Sequence, residues 1–405
     1  MAGRPKANAV VGQSGGPTAV INESLVGIIE EAGKHPEIEN LYGAVHAVAG
    51  IVKEEFIDLK KLSARTLAKV AASPCSALGA SRDKPDVEYC VKIFEVFKKR
   101  NIRYFFYIGG NDSANTANII NTMAAETGYD LRAFHIPKTI DNDLLVTDHC
   151  PGYGTAAKFV ACALMGNDLD NRALPGVKID VIMGRHAGFL TAASVLGKQR
   201  QDDAPHLVYV PERGISLDKL LADVEAVYRK LGRCVIAKSE GITDPDGVTW
   251  AEKIAGGEEK EVDAHGNIQL SGRGSLADFL AETIKAELLV KRVRADTFGY
   301  LQRSFVGLRS SVDAREARAC GREAVKLAME HTSGSVAIKR AGSGKDYAIE
   351  LFHAELIEVA EKTKRMPDEY INREGNGVTE AFVEYAMPLV GRLPRTLYLG
   401  TYPRI

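Results

Sequence analysis

One unit recurs along this chain: a short apolar run, a turn rich in glycine and polar residues, then a segment with helical periodicity. Residues 8–11 lead into Gly12-Gln13-Ser14-Gly15-Gly16-Pro17-Thr18 and a helix expected over 19–31. Residues 104–108, dense in aromatics, lead into Gly109-Gly110-Asn111-Asp112-Ser113 and a helix expected to run to about 126. Residues 131–136 lead into Pro137-Lys138-Thr139-Ile140-Asp141-Asn142-Asp143, after which Gly152-Tyr153-Gly154-Thr155 opens a helix expected to reach about 169. Strands that alternate with helices pair in parallel, because a parallel neighbour is reached only through a crossover that a helix supplies. The expected class is therefore α/β, with a doubly wound, mainly parallel sheet.

A second series follows the first. Residues 177–182 end in Met183-Gly184-Arg185-His186-Ala187-Gly188, 207–210 in Pro211-Glu212, and 234–237 in Lys238-Ser239-Glu240-Gly241, so charged groups again stand just past strand ends. A chain of 405 residues exceeds one ordinary core and suits two domains. Open α/β sheets bind ligands beyond the carboxyl ends of their strands, which is where these turns fall.

The turn at 137–143 holds the most chemistry. Two carboxylates, a hydroxyl and an ammonium lie within six residues. Asp141 and Asp143, at i and i+2, would share one side of an extended segment, one as a base and the other holding metal or substrate. The competing reading is a solvated turn, since Asp and Asn bond their own backbone. The glycine turn 12–18 suits a phosphate at the positive end of a helix, although it matches neither the dinucleotide fingerprint nor the P-loop. Gly342-Ser343-Gly344-Lys345-Asp346 imitates a P-loop with the wrong spacing and reads as a surface loop.

Other segments carry two readings each. Arg82, after Gly79-Ala80-Ser81, is either a solvated charge or a fork onto phosphate. Asn111, Asp112 and Ser113 are all good helix caps, yet the two glycines before them exceed what a cap needs and suit a ligand touching the backbone. In a helix over 86–99, Val87, Val91, Phe94 and Phe97 form a stripe expected in the core. Residues 243–273 read as an inserted polar hairpin, 276–291 and 312–331 as helices, and 294–303 places Arg294, Tyr300 and Arg303 at strand-like spacing.

Charge and cysteine usage exclude several classes. With 52 basic and 53 acidic residues, the formal charge of −1 offers no global field for nucleic acid or membrane, so any anion site is local. Six scattered cysteines, without a C-x-x-C pair, read as reduced thiols. The apolar run at 9–11 is too short for a signal peptide, and stretches such as 159–165 fall short of a membrane span. The expected location is cytoplasmic.

Gly15-Gly16-Pro17-Thr18, Gly79-Ala80-Ser81-Arg82, Gly109 to Ser113, Pro137 to Asp143, Met183-Gly184-Arg185, Ser239-Glu240-Gly241 and Gly299-Tyr300-Leu301-Gln302-Arg303 follow one another as they do in phosphofructokinases. Over residues 8 to about 330 the chain resembles that family, its pyrophosphate-dependent branch in particular. The resemblance implies two Rossmann-like three-layer domains facing across an active-site cleft. Residues 1–155 plus about 302–355 would bind the phosphoryl donor, and 156–301 plus about 356–405 the sugar phosphate. It implies reversible phosphoryl transfer from pyrophosphate to the 1-hydroxyl of fructose 6-phosphate in glycolysis or gluconeogenesis, with Mg2+, by a homodimer or homotetramer.

Carried over residue by residue, the resemblance makes Asp141 the base, with Thr139, Ile140 and Asp143 beside it at the substrate. Lys138 and Arg185 would neutralise the moving phosphoryl, and Gly15, Gly16 and Arg82 would cradle the donor. Met183, Gly184, Arg185, Glu240, Arg294, Tyr300 and Arg303 would bind the sugar phosphate, Arg294 from a neighbouring subunit. Asp112 and Lys138 stand where ATP-using relatives usually carry glycine, which points to pyrophosphate. The plainer alternative is that Asp112 caps a helix and Lys138 faces solvent. Asn111 replaces an aspartate that holds Mg2+ in many relatives, leaving metal mainly to Asp141 and the phosphates. A second subunit-crossing arginine has no counterpart in Gly176-Val177-Lys178. An ATP-dependent kinase and a kinase acting on sedoheptulose 7-phosphate remain the alternatives.

Overall fold

The computed structural model describes residues 6–254, 275–360 and 363–402. The chain divides into two compact units, residues 1–156 with 303–364 and residues 157–302 with 365–405.

The first unit is built on seven strands: β1 (Ala7–Gln13), β2 (Ile38–Ala44), β3 (Phe56–Asp58), β4 (Ile102–Gly109), β5 (Arg132–Pro137), β10 (Ser333–Ala341) and β11 (Ala348–Ala354). Their order across the sheet is β11-β10-β5-β4-β1-β2-β3. The five inner strands run parallel, and β3 and β11 close the edges antiparallel. Alternation along the strands feeds two apolar layers. Ala9, Val11, Phe106, Ile108, Phe134 and Ile136 meet the helices Ile21–Ala32 and Ser311–Glu330 on one face. Val10, Phe105, Tyr107 and Ala133 meet Val87–Lys99 and Asn111–Glu126 on the other. A strand buried on both faces reads as an unbroken apolar run, as 104–108 does.

The second unit has four parallel strands, β6 (Val177–Ile182), β7 (Leu207–Tyr209), β8 (Cys234–Ser239) and β9 (Val293–Thr297), in the order β7-β8-β6-β9. Its core joins Ile179, Val181, Tyr209 and Ile236 to Leu220 and Val224 of the helix Leu217–Leu231 and to Leu280 and Ile284 of Ser275–Glu287. Both units are α/β with mainly parallel sheets, as the recurring unit implies.

Several local expectations are corrected. In the helix Val87–Lys99, Val87 is 63% and Val91 41% exposed, while Cys90, Ile93, Phe94, Val96 and Phe97 are buried. The buried stripe is therefore shifted round the helix, because Cys90 and Ile93 face the sheet. Gly299–Arg303 is a short 3-10 turn, so of Arg294, Tyr300 and Arg303 only Arg294 lies in a strand, β9. Lys238 is not past its strand but inside β8 and fully buried. Of the expected hairpin 243–273, Thr243 and Thr249 form an antiparallel bridge and Trp250–Ile254 is helical; 255–273 lie outside the described residues. Among the described residues no helix is long and apolar enough to cross a membrane.

Candidate active site

In the first unit, backbone hydrogen bonds knit the glycine turns together at the carboxyl ends of β1, β4 and β5. Ser14 N–H donates to Ile108 O at 2.8 Å, Gly15 N–H to Ser81 O at 2.9 Å, and Lys138 N–H to Gly109 O at 2.9 Å. His135 lies beneath them. It is fully buried, with Nε2 2.8 Å from Gly109 O and Nδ1 2.8 Å from Ser335 Oγ. A carbonyl only accepts, so Nε2 carries the proton and Nδ1 takes the serine hydroxyl. Burial first, then the nearby Lys138 cation, pulls the His135 pKa down to about 4, against two backbone bonds that raise it. His135 therefore supports the turn as a neutral ring. Its sequence position, two residues before Pro137 inside an apolar run, was the signal for a buried polar support.

The 137–143 segment is not extended. Asn142 adopts a left-handed backbone with φ 60° and is fully buried, its Oδ1 accepting Cys150 N–H at 3.0 Å. Thr139 is the hub: its hydroxyl donates to Asp143 Oδ1 at 3.1 Å and accepts Asp141 N–H at 3.1 Å. The two carboxylates thus have different surroundings. Burial raises the Asp143 pKa against the lowering bond from Thr139. Asp143 is anchored further by Lys364 N–H on its carbonyl at 2.7 Å. Asp141 is half-buried, as Asp143 is, and its backbone N–H, not its carboxylate, is what Thr139 holds. Ile140 is buried and offers a ligand only its backbone.

Lys138 does not face solvent. It is 5% exposed, and its Nζ donates to Gly16 O at 2.8 Å. Burial, then the neighbouring Arg303 cation, lowers its pKa to about 8; Asp141 and Asp143 resist the fall. The Arg303 guanidinium lies over Gly16, where a Cβ would come within 3.0 Å of Cζ. A side chain there would make the guanidinium give by a few tenths of an ångström. Asp112 does not cap its helix: the N-cap of Asn111–Glu126 is Gly110, without a side-chain cap bond. Asp112 stands in the first turn with its carboxylate 3.2 Å from Lys84 Nζ. Arg82 lies next to Ser81, which bridges Ser14.

In the second unit the turns after β6 and β8 interlock. Glu240 N–H donates to Ile182 O at 2.8 Å, the Ser239 hydroxyl donates to Gly184 O, and a Cβ on Gly241 would overlap the Arg185 carbonyl. Met183 and Glu240 are buried and Arg185 is half-buried. Met183 N–H also reaches Gln302 Oε1 at 3.4 Å, which brings the turn carrying the exposed Tyr300 to the same strand end. Arg294 is elsewhere. Its strand position pairs with Lys178, near the start of β6, about 17 Å of extended chain before Met183.

Sequence reasoning missed Asp313, fully buried in its helix and accepting Gly152 and Thr155 N–H, both at 2.8 Å, at the entry of the helix Tyr153–Ala173. It also missed Gln302 and Lys364. All three act through distant parts of the chain, so local spacing held no sign of them.

The donor set limits how metal is held. Among the described residues no group of three or more His, Cys, Asp and Glu side chains is placed to bind an ion. Asp143 is committed to Thr139, which leaves Asp141 and the Asn111 amide. That suits Mg2+, which keeps several waters and takes phosphate oxygens in place of a full protein cage.

Residues 8–328 match the phosphofructokinase family, and the chain belongs to it. The chain is 55% identical over 388 residues to the pyrophosphate–fructose 6-phosphate 1-phosphotransferase of Rhodospirillum rubrum, covering 96% of this chain and 95% of that protein. It is 30% identical to the sulfofructose kinase of Alkalicoccus urumqiensis, covering 89% and 91%. The crystal structure of the pyrophosphate-dependent phosphofructokinase from Marinobacter aquaeolei superposes with a TM-score of 0.84 at 33% identity, covering 98% of this chain and 95% of that one.

Proposed function

We propose that the chain transfers a phosphoryl group reversibly from pyrophosphate to the 1-hydroxyl of fructose 6-phosphate, giving fructose 1,6-bisphosphate and phosphate. The observation that carries this reading is Lys138, an ammonium buried at a glycine turn and already pointed at the Gly16 carbonyl. Phosphoryl transfer needs positioning and charge stabilisation more than covalent chemistry, and a cation at this place supplies both.

Asp141 takes the proton from the sugar hydroxyl as its oxygen attacks the nearer phosphorus of pyrophosphate. Lys138 stabilises the phosphate that leaves, with Arg185 neutralising the moving group. Gly15, Gly16 and Arg82 hold the donor, and Asp112 takes the volume that a nucleotide's next phosphate would need. Asp141, the donor oxygens and the Asn111 amide would hold Mg2+, which supplies shielding of phosphate charge. Met183, Gly184, Glu240, Tyr300 and Arg303 hold the sugar phosphate. Arg294 serves the sugar site of a second copy in a homodimer or homotetramer, which accounts for its distance from Met183.

The test is turnover with pyrophosphate and ATP offered separately, fructose 6-phosphate being the acceptor. Pyrophosphate-dependent turnover with little or none from ATP is expected. ATP-dependent turnover with none from pyrophosphate would overturn the donor assignment.

A further inference from the structure

Lys84 plays no part in the reaction described above, yet it makes the 3.2 Å ion pair with Asp112. Exposed pairs between long side chains are usually weak, because ordering both chains offsets the attraction. Here the lysine backbone is held on each side. Asp83 N–H donates to Ser81 Oγ at 2.9 Å, and Ser81 is bridged to Ser14 of the donor turn. The Tyr89 hydroxyl donates to the Asp83 carboxylate at 3.0 Å; burial and then that carboxylate raise the Tyr89 pKa to about 12, so the donor proton stays on. Pro85 fixes the next φ, and Asp86 caps the helix Val87–Lys99 by accepting Tyr89 N–H at 2.8 Å. Lys84 is thus presented from a clamped turn.

The pair also meets an electrostatic difficulty of the site. A carboxylate that excludes a nucleotide by its bulk also repels pyrophosphate, which is itself highly charged. An ammonium paired with that carboxylate offsets part of the repulsion and leaves the volume in place.

We infer that Lys84 is a specificity-determining positioning residue: it holds and neutralises Asp112 so that this side chain rejects the longer donor by size without repelling pyrophosphate. The inference rests on the donor reading given above.

A double-mutant cycle tests it, with Lys84→Met, Asp112→Asn and the pair in the full-length protein. Lys84→Met is expected to raise the KM for pyrophosphate roughly five- to tenfold, with kcat and the KM for fructose 6-phosphate within about twofold. The rise should shrink as ionic strength increases. Lys84→Arg should restore most of the affinity, and in the Asp112→Asn background Lys84→Met should change the KM by less than about twofold. An unchanged KM in the single variant would overturn the inference. So would an equal rise in the Asp112→Asn background, which would make Lys84 a direct donor contact. Absence of pyrophosphate turnover in the unmodified protein would overturn the donor reading and this inference together, whereas normal turnover with an unresponsive cycle overturns this inference alone.

Discussion

Lys138 in the first unit and Lys238 in the second are both buried lysines near the carboxyl end of a parallel strand, and their surroundings differ. Lys138 Nζ has the Gly16 carbonyl at 2.8 Å and two aspartates near enough to support its charge. Lys238 Nζ has no hydrogen-bond partner among the described residues and lies 5.8 Å from the centroid of the Trp250 ring. Burial therefore brings Lys138 only to about 8, while it takes Lys238 well below its ordinary value against the weak support of Glu240. A buried amine keeps its charge only where acceptors are arranged for it. The first unit keeps a cation at its turns with acceptors around it; the second leaves a lysine amine in its core where burial disfavours the charge.

The largest effect is expected from Asp141→Asn in the first unit. The change preserves shape and removes the proton acceptor, so kcat should fall by roughly two to four orders of magnitude while fructose 6-phosphate still binds. Single-turnover rates with equilibrium sugar binding measured alongside are decisive; near-normal turnover would remove Asp141 from the role of base.

Gly241→Ala strikes the second unit in the corresponding way. The added Cβ overlaps the Arg185 carbonyl and must push the turn after β6 away from the turn after β8. A displacement of this kind costs up to about 100-fold, and it should appear mainly in the KM for the sugar, since the donor turns belong to the first unit. A loss confined to the KM for pyrophosphate would show that the second unit has been given the wrong substrate.

The charge on Lys138 sets a pH limb. Its amine is useful protonated, so kcat/KM for pyrophosphate should fall as pH rises through about 8. Arg303→Met removes a cation that lowers this pKa, and the limb should then move to higher pH even as affinity drops. An unmoved limb would separate Arg303 from Lys138 electrically, despite its place over Gly16.

The sheets were legible in the sequence where a strand is an apolar run closed by a glycine turn and followed by a helix, as in β1 and β4. The inner strand β2 and the edge strand β3 were not: they carry Glu39, Asn40 and Asp58 among their few apolar residues and have no glycine turn after them to announce them. The candidate site was legible where neighbours in sequence are neighbours in space, as in 137–143. Even there the backbone differed from expectation, since nothing in the spacing of Asp141 and Asp143 shows that Asn142 turns left-handed to satisfy Cys150. Lys238 was misplaced for a related reason. A charged residue beside Ser239 and Glu240 suggests a strand end facing water, and only packing against Trp250 reveals it as core.

The last expectation concerns Lys238 and stability. In the unfolded chain a lysine titrates near 10.4, and in the fold Lys238 titrates well below its ordinary value. Between those two values the unfolded chain binds the extra proton, so the group destabilises the fold, and stability rises with pH across that window. Below the folded value both states are charged and the penalty levels off at its maximum. Lys238→Met keeps the length, fills the same space beside Trp250 and abolishes the titration. Below about pH 10 the midpoint of thermal unfolding should rise by on the order of a few °C, and its upward slope as pH approaches the unfolded value of about 10.4 should flatten. The sole tryptophan offers a second reading, because an ammonium and a methyl thioether at this distance leave Trp250 in different fields. If the variant unfolds earlier instead, and its slope with pH is that of the unmodified protein, Lys238 is charged and partnered in the fold, and the contrast with Lys138 does not hold.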